Sequence, residues 1–208
     1  MELVVATRNQ DKLKEIKTLL NGLPIKVISL NSFKDVPEVI EDGKTLQANA
    51  RKKAIQVSRH LKRLAVADDS GLEIDALGGR PGAYSARFAG KDATYSSNNE
   101  KVLRLLKAVP GSKRKACFRC VIAAADKGKV LGIAEGRCRG RIGFEPKGRS
   151  GFGYDPIFVP NGHKKTFAEM GIKKKNKISH RSKALVKAKK LIIDFSETCF
   201  GSRGLHER

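Results

Sequence analysis

Between residues 66 and 90 the chain reads VADDSGLEIDALGGRPGAYSARFAG. The apolar run just before it, residues 64–67, fits a buried strand, and it stops at two adjacent aspartates. Side chains alternate along a strand, so Asp68 and Asp69 face opposite sides at its end. One can face a crevice while the other anchors a turn opened by Ser70 and Gly71. Carboxylates beside a serine are the hard oxygen donors that Mg²⁺ takes. Glu41 and Asp42 are placed to add a further ligand. The same four residues also fit a plain turn held by aspartate side chains.

Outward from this stretch, strands and helices alternate. Upstream, residues 2–6 read as a buried strand that passes into a helix with Leu13, Ile16, Leu19 and Leu20 on one face. Residues 25–30 form a second strand. A longer helix from Thr45 carries Leu46, Ala50, Ala54, Val57 and Leu61 at helical spacing. Downstream, Val102, Leu105, Leu106 and Val109 mark a helix over residues 98–109. Two β-rich runs, residues 115–125 and 129–139, flank the hairpin signal DKGK. A last helix starts near Ser179, a good N-cap, and buries Ala184, Ala188, Leu191 and Phe195. Alternation interrupted by a hairpin predicts an α/β fold with a mixed sheet. The 208 residues fit one domain, or one domain with two lobes.

Composition narrows the partners. Lys and Arg number 43 against 21 Asp and Glu, a net charge of +22, which favours a polyanion: nucleotide, nucleic acid or anionic membrane. The basic runs are spread along the chain, as solvated faces are. No apolar run approaches the roughly 20 residues of a membrane span. MELVVATRNQ carries no basic leader, so the cytoplasm is the expected address. Of four cysteines, Cys117 and Cys120 form a lone C-x-x-C with no second pair. With Cys138 and Cys199 they read as free thiols in a reducing compartment.

Three further segments carry chemistry. In VVATRNQDK, a polar turn opens a helix whose free N–H groups suit a phosphate, with Thr7 and Asn9 as hydrogen-bond donors and Arg8 and Lys12 as charge. An ordinary capped helix would look the same. The absence of G-x-x-x-x-G-K-[ST] argues against a P-loop nucleotidase. In SGFGYDPIF, residues 150–158, Phe152 or Tyr154 can stack on a base, Asp155 can accept from a ring N–H, and Gly153 exposes backbone. The alternative there is a tight turn with core aromatics. In KKKNKISHRSKAL, residues 173–185, Lys175, His180 and Arg181 can reach base oxygens or phosphates, or form a solvated basic face. His60, His163 and His206 lie in polar surroundings.

The four segments in this order resemble the Ham1/RdgB family of inosine/xanthosine triphosphate pyrophosphatases. Thr7, Asn9 and Lys12 match its [ST]-x-N-x-x-K. Residues 67–87 match its A-D-D-S-G-L-x-[VI]-D-A-L-G-G-x-P-G-x-Y-S-A-R. Residues 152–158 match F-G-Y-D-P-[IV]-F, and residues 175–181 match K-x-x-I-S-H-R. The resemblance implies a two-lobed α/β fold with a long central mixed sheet flanked by helices, a site in the cleft between lobes, and a homodimer. It implies Mg²⁺-dependent hydrolysis of ITP, dITP and XTP to monophosphate and pyrophosphate. By the same resemblance Thr7, Asn9 and Lys12, helped by Lys53, hold the triphosphate, and Glu41 and Asp69 bind Mg²⁺. Asp69 is the catalytic carboxylate, and Ser70 contacts substrate. Phe152 stacks on the base, Gly153, Tyr154 and Asp155 shape the pocket, and Lys175, His180 and Arg181 read the base. Arg8 replaces the glycine common in the family, and Asp11 sets an acid near the expected triphosphate. Two other readings remain: a related pyrophosphatase for modified pyrimidine nucleotides, and a nucleic-acid-binding protein on this scaffold.

Overall fold

The computed structural model describes residues 1–201, with side chains to residue 195; Cys199 (its side chain) and His206 lie outside the described residues. Six strands form one mixed sheet: β1 (Glu2–Val5), β2 (Lys26–Ser29), β3 (Ala65–Ile74), β4 (Lys115–Asp126), β5 (Lys129–Ile142) and β6 (Phe158–Pro160). Their order is β2-β1-β3-β4-β5-β6. The β1 pairings to β2 and β3 are parallel, and the rest are antiparallel. The helices are α1 (Gln10–Leu20), α2 (Leu46–Leu61), α3 (Tyr95–Leu105), α4 (Phe167–Met170), α5 (Ile172–Ile178) and α6 (His180–Gly201). Among the described residues no helix is long and apolar enough to cross a membrane.

The expected α/β fold with a mixed sheet is what the chain adopts. One element differs in a way that matters. The strand expected to end at residue 67 runs on to Ile74, so Asp-Asp-Ser-Gly is mid-strand and not a turn. Asp68 pairs with Ile122 and Asp69 with Val121 on the long β4. A partner strand that continues past the acids supplies ladder hydrogen bonds there, and tertiary pairing overrides the local turn signal. Gly71 is required at this point: a Cβ would lie 2.2 Å from the carbonyl oxygen of Gly82, where the following loop folds back on the strand. The helix expected over residues 98–109 begins earlier, at Tyr95, because Thr94 and Ser97 form a reciprocal capping box.

Apolar side chains of β1, β3 and β4 alternate between two cores. One packs under α1 and α6 through Val5, Ile16, Ile122 and Ala188. The other packs under α2 through Val4, Ala50, Ala67 and Val121. A third core lies at the far end of the β3–β4–β5 ribbon, around Leu72, Phe118 and Phe158. Gly136 lets α6 lie against β5: a Cβ there would meet the His180 carbonyl oxygen at 2.1 Å. Ser179 caps α6 by accepting from the Ser182 N–H (3.1 Å), as expected. Leu191 and Phe195 pack partly buried against the first core.

Candidate active site

A cavity of about 340 Å³ opens between the second core, through Ala6, Leu30 and Val57, and the third, through Leu72, Phe118 and Tyr154. Thr7, Arg8, Asn9, Lys12, Glu41, Lys53, Asp69, Ser70, Phe152, Gly153, Tyr154, Asp155, Lys175, His180 and Arg181 all line it. Four segments distant in sequence therefore converge as expected. Asp42 does not line it, and is exposed and paired with Lys52 (2.7 Å).

At one end β1 delivers the α1 N-terminus. Asn9 caps α1, its Oδ1 accepting from the Lys12 N–H (3.0 Å), while Thr7 Oγ1 accepts from the Asn9 N–H (3.2 Å). That leaves the Asn9 Nδ2 group to donate outward, to the Tyr95 hydroxyl (3.0 Å). Arg8 donates to the carbonyl of Val36 (2.8 Å), so it pins the neighbouring loop. Asp11 is exposed in the first turn of α1 and is not among the lining residues. There an acid suits the helix dipole.

Asp68 and Asp69 do face opposite sides of β3, and their surroundings differ. Asp68 is 2% exposed and held on the α1–α6 side. Its carboxylate accepts from Lys12 (2.7 Å), Arg181 Nε (2.9 Å), Ser70 Oγ (3.1 Å) and Cys120 Sγ (2.9 Å). Burial alone would raise its pKa, but Arg181 and Lys12 hold it well below the ordinary carboxylate value. Burial likewise works to discharge Lys12, and Asp68 outweighs it, so the ammonium pKa is raised. Asp68 thus clamps two cations rather than a turn.

Asp69 faces α2. Lys53 Nζ from that helix donates to Glu41 Oε1 (2.7 Å), the Asp68 carbonyl (2.9 Å) and Asp69 Oδ1 (3.2 Å). Asp69 Oδ2 is buried with no partner. Burial pushes the Asp69 carboxyl up, with Glu41 and Asp68 adding to it against Lys53 and Lys12. For Glu41, Lys53 outweighs burial and holds the pKa down. Glu41 sits on a loop fixed by Arg87, which donates to its carbonyl (2.8 Å), and by Asn49, whose Oδ1 accepts from the Gly43 N–H (2.8 Å). Two carboxylates therefore share one cation. Among the described residues no group of three or more His, Cys, Asp or Glu could hold a metal ion alone.

At the other end, Lys175 and Arg181 are almost fully buried around Glu15 of α1, itself 1% exposed. Lys175 Nζ pairs with Glu15 Oε1 (2.7 Å) and Asp155 Oδ2 (2.5 Å), and Arg181 Nη1 pairs with Glu15 Oε2. Buried ions persist only when paired in this way. Phe152 has the Lys175 ammonium 4.7 Å and the Arg181 guanidinium 5.5 Å from its ring centre. Asp155 Oδ2 accepts from the Phe152 N–H (2.9 Å) as well as from Lys175 (2.5 Å), so this oxygen fixes the loop. Tyr154 is core: its hydroxyl donates to the Ser85 carbonyl (2.8 Å) and burial raises its pKa, which leaves Phe152 as the stacking candidate. His180 stacks on Phe118 (4.5 Å, 7° between planes). Burial, reinforced by Arg181 and Lys175, lowers its pKa well below 6.5, so the ring is neutral. Its Nδ1 is buried without a partner.

Glu15, Tyr95 and Phe118 belong to this region and were not singled out from the sequence. Glu15 had a signal: an acid one turn after Lys12, beside the apolar stripe of Leu13 and Ile16. Tyr95 and Phe118 had none, since the first precedes the periodic part of its helix and the second reads as an ordinary strand residue.

A nucleotide-sized cavity with carboxylates at one end and an aromatic at the other, on an α/β sheet, defines a class of nucleotide-handling proteins. Within it, the Ham1 family model matches residues 3–191, and the chain belongs to the Ham1 family. A dITP/XTP pyrophosphatase of Shouchella clausii is 51% identical over 191 residues, 92% of this chain and 96% of the relative. A HAM1 protein structure from Coxiella burnetii superposes with a TM-score of 0.84 at 42% identity, covering 93% of this chain and 99% of that one. The structure of a nucleoside-triphosphatase / dITP/XTP pyrophosphatase from Mycobacterium abscessus has a TM-score of 0.72 at 38% identity, covering 90% and 97%.

Proposed function

We propose that this protein hydrolyses non-canonical purine nucleoside triphosphates (ITP, dITP and XTP) to the monophosphate and pyrophosphate. The observation that carries the reading is the convergence of Glu41 and Asp69 on one cation, Lys53, with Asp69 Oδ2 left buried and unpaired. That donor set fits a divalent ion that takes its remaining ligands from phosphates and water, as Mg²⁺ does when one or two carboxylates hold it. Glu41 and Asp69 would hold the Mg²⁺. When bound, the ion supplies charge neutralisation for the triphosphate. The names of the relatives agree with this activity.

The chain's own residues account for the rest. Thr7, the α1 N-terminus and the Asn9 amide face the phosphates, and Lys12 and Lys53 offset their charge. The Asp69 carboxylate also orients the attacking water and accepts a proton from it. The water oxygen bonds to the α-phosphorus, the bond from that phosphorus to its bridging oxygen breaks, and pyrophosphate leaves. Ser70 keeps the Asp68–Arg181 clamp aligned beside the phosphates. Phe152 stacks on the base. Lys175 has three N–H donors and two carboxylate partners. Its third donor suits the O6 acceptor of hypoxanthine or xanthine, whereas adenine's amino group would leave it unpaired at about 1–3 kcal/mol. Neutral His180 sets the edge of the base pocket, held flat by Phe118. We read the chain as one domain of two lobes, a homodimer acting in the cytoplasm, where the nucleotide pool is.

The test is pyrophosphate release from ITP, XTP, dITP, ATP and GTP, with Mg²⁺ and with chelator. Release from the first three well above the last two, lost with chelator, is expected. A folded, Mg²⁺-supplied protein inactive on all five would refute the reading, and modified pyrimidine nucleotides would be assayed next.

A further inference from the structure

Tyr95 has no part in the reaction above, yet it is the residue that links the two ends of the cavity. It is the first residue of α3, lines the cavity and is 44% exposed. Its hydroxyl accepts from Asn9 Nδ2 at the phosphate end (3.0 Å). Its ring lies 5.9 Å from that of Phe152 at the base end, tilted by 42°.

The backbone beneath it is fixed. The Thr94–Ser97 capping box holds the start of α3. Asn98 ties it to the preceding loop through the Ala89 N–H (2.7 Å) and the Ala86 carbonyl (3.1 Å). Asn99 donates to the Gly153 carbonyl (3.0 Å), in the loop that carries Phe152. Tyr95 and Phe152 therefore share one frame, and only their side chains are free to move relative to each other. A flat base between two rings needs two carbon–carbon contact distances, about 7–8 Å. The 5.9 Å separation is too small, so a base stacked on Phe152 from this side requires the tyrosine ring to swing away. One exposed hydrogen bond and one ring contact restrain it.

We infer that Tyr95 is a substrate-ordering residue that makes the base slot open in response to the phosphate chain. Asn9 has a single donor group to offer, because its Oδ1 is engaged in capping α1. A phosphate oxygen is a stronger acceptor for that donor than a neutral phenol. A phosphate chain at the α1 N-terminus takes the Asn9 amide from Tyr95, the ring loses its tether, and the face of Phe152 clears for the base. A base without phosphates has to break the tether itself. The device discriminates against nucleosides and disfavours rebinding of products that lack the full chain. It rests on the proposed nucleotide site.

Binding without turnover tests it. The 208-residue chain has three tyrosines. Labelled with 3-fluorotyrosine, it gives three ¹⁹F signals, of which Tyr95 is assigned with Tyr95→Phe. In chelator, inorganic tripolyphosphate and inosine are titrated separately and together, with affinities also measured by calorimetry. Tripolyphosphate alone should shift the Tyr95 signal, and at saturation it should tighten inosine binding about 2- to 10-fold, the range of one hydrogen bond. Tyr95→Phe, which keeps the ring and loses the acceptor, should bind inosine at the tightened level with or without tripolyphosphate. An unmoved Tyr95 signal, or equal coupling in Tyr95→Phe, overturns the inference while leaving the nucleotide site intact. If neither probe binds, the site reading and this inference fall together.

Discussion

The two ends of the cavity handle charge in opposite ways. At the base end, Glu15, Lys175 and Arg181 are each buried to about 1–2% exposure, and every cation has at least two carboxylate partners. At the phosphate end, Glu41 is a third exposed, Lys53 serves two carboxylates by itself, and one oxygen of Asp69 has no partner. The first arrangement is closed electrostatically and fixes a shape. The second is left incomplete, which is what a site needs if an incoming cation and a polyanion are to finish it. Structure is spent at one end and chemistry is reserved for the other.

If that contrast is right, removing an acid should break the two ends differently. Glu15→Ala strips a shared partner from two buried cations. Its cost should be about 3–5 kcal/mol of stability, the usual result of breaking a buried pair. For a chain of this size that is a fall in melting temperature of about 6–20 °C. A melting temperature within 2 °C of wild type would show that the base end is not the closed network described.

Asp69→Asn should do the reverse. It removes a carboxylate whose second oxygen is buried and unpaired, while Lys53 keeps Glu41 and the Asp68 carbonyl. Activity on ITP should fall about 10²- to 10⁴-fold, the scale of a lost general base, with no loss of melting temperature. A variant that melts early would place Asp69 among the structural acids with Asp68.

Smaller again is the pH response of His180. Its folded pKa lies well below the ordinary value of 6.5 because burial, Arg181 and Lys175 all oppose the charged form. The unfolded chain thus takes up a proton that the folded chain refuses. The stability this group contributes is complete above pH 6.5 and is lost progressively as the pH falls below it. Thermal melts should drop toward acid, and His180→Gln should flatten part of that slope. A slope identical in the variant would mean that other groups carry it.

The sequence revealed this contrast unevenly. Site membership was legible, because Thr7, Asp69, Phe152 and His180 lie in short polar or glycine-rich interruptions of apolar periodicity, and the fold followed from that periodicity. Which acid does what was not legible in the residues themselves, and only the family resemblance singled out Asp69. Asp68 and Asp69 are adjacent and identical in type; only the ladder to β4 sets one toward Arg181 and the other toward Lys53. The turn reading failed for the same reason, since a partner strand some 50 residues away decides it. Lys175 and Arg181 look like members of a solvated basic run, and their burial depends on Glu15, more than 150 residues earlier. Long-range ion pairs leave no local pattern to read.

The finest form of the comparison lies within one dipeptide. Glu41 and Asp42 are adjacent acids, each bonded to an α2 lysine at 2.7 Å, and each has its pKa held down in part by that lysine. For Glu41 burial works against this, and the lysine outweighs it. Asp42 has a side chain 65% exposed, where solvent screens the ion pair. Asp42→Asn should therefore leave both melting temperature and kcat/KM for ITP near wild type, whereas Glu41→Gln should raise the Mg²⁺ concentration needed for half-maximal activity. Equal effects from the two substitutions would mean that loop position, and not convergence with Asp69 on Lys53, defines the acidic site.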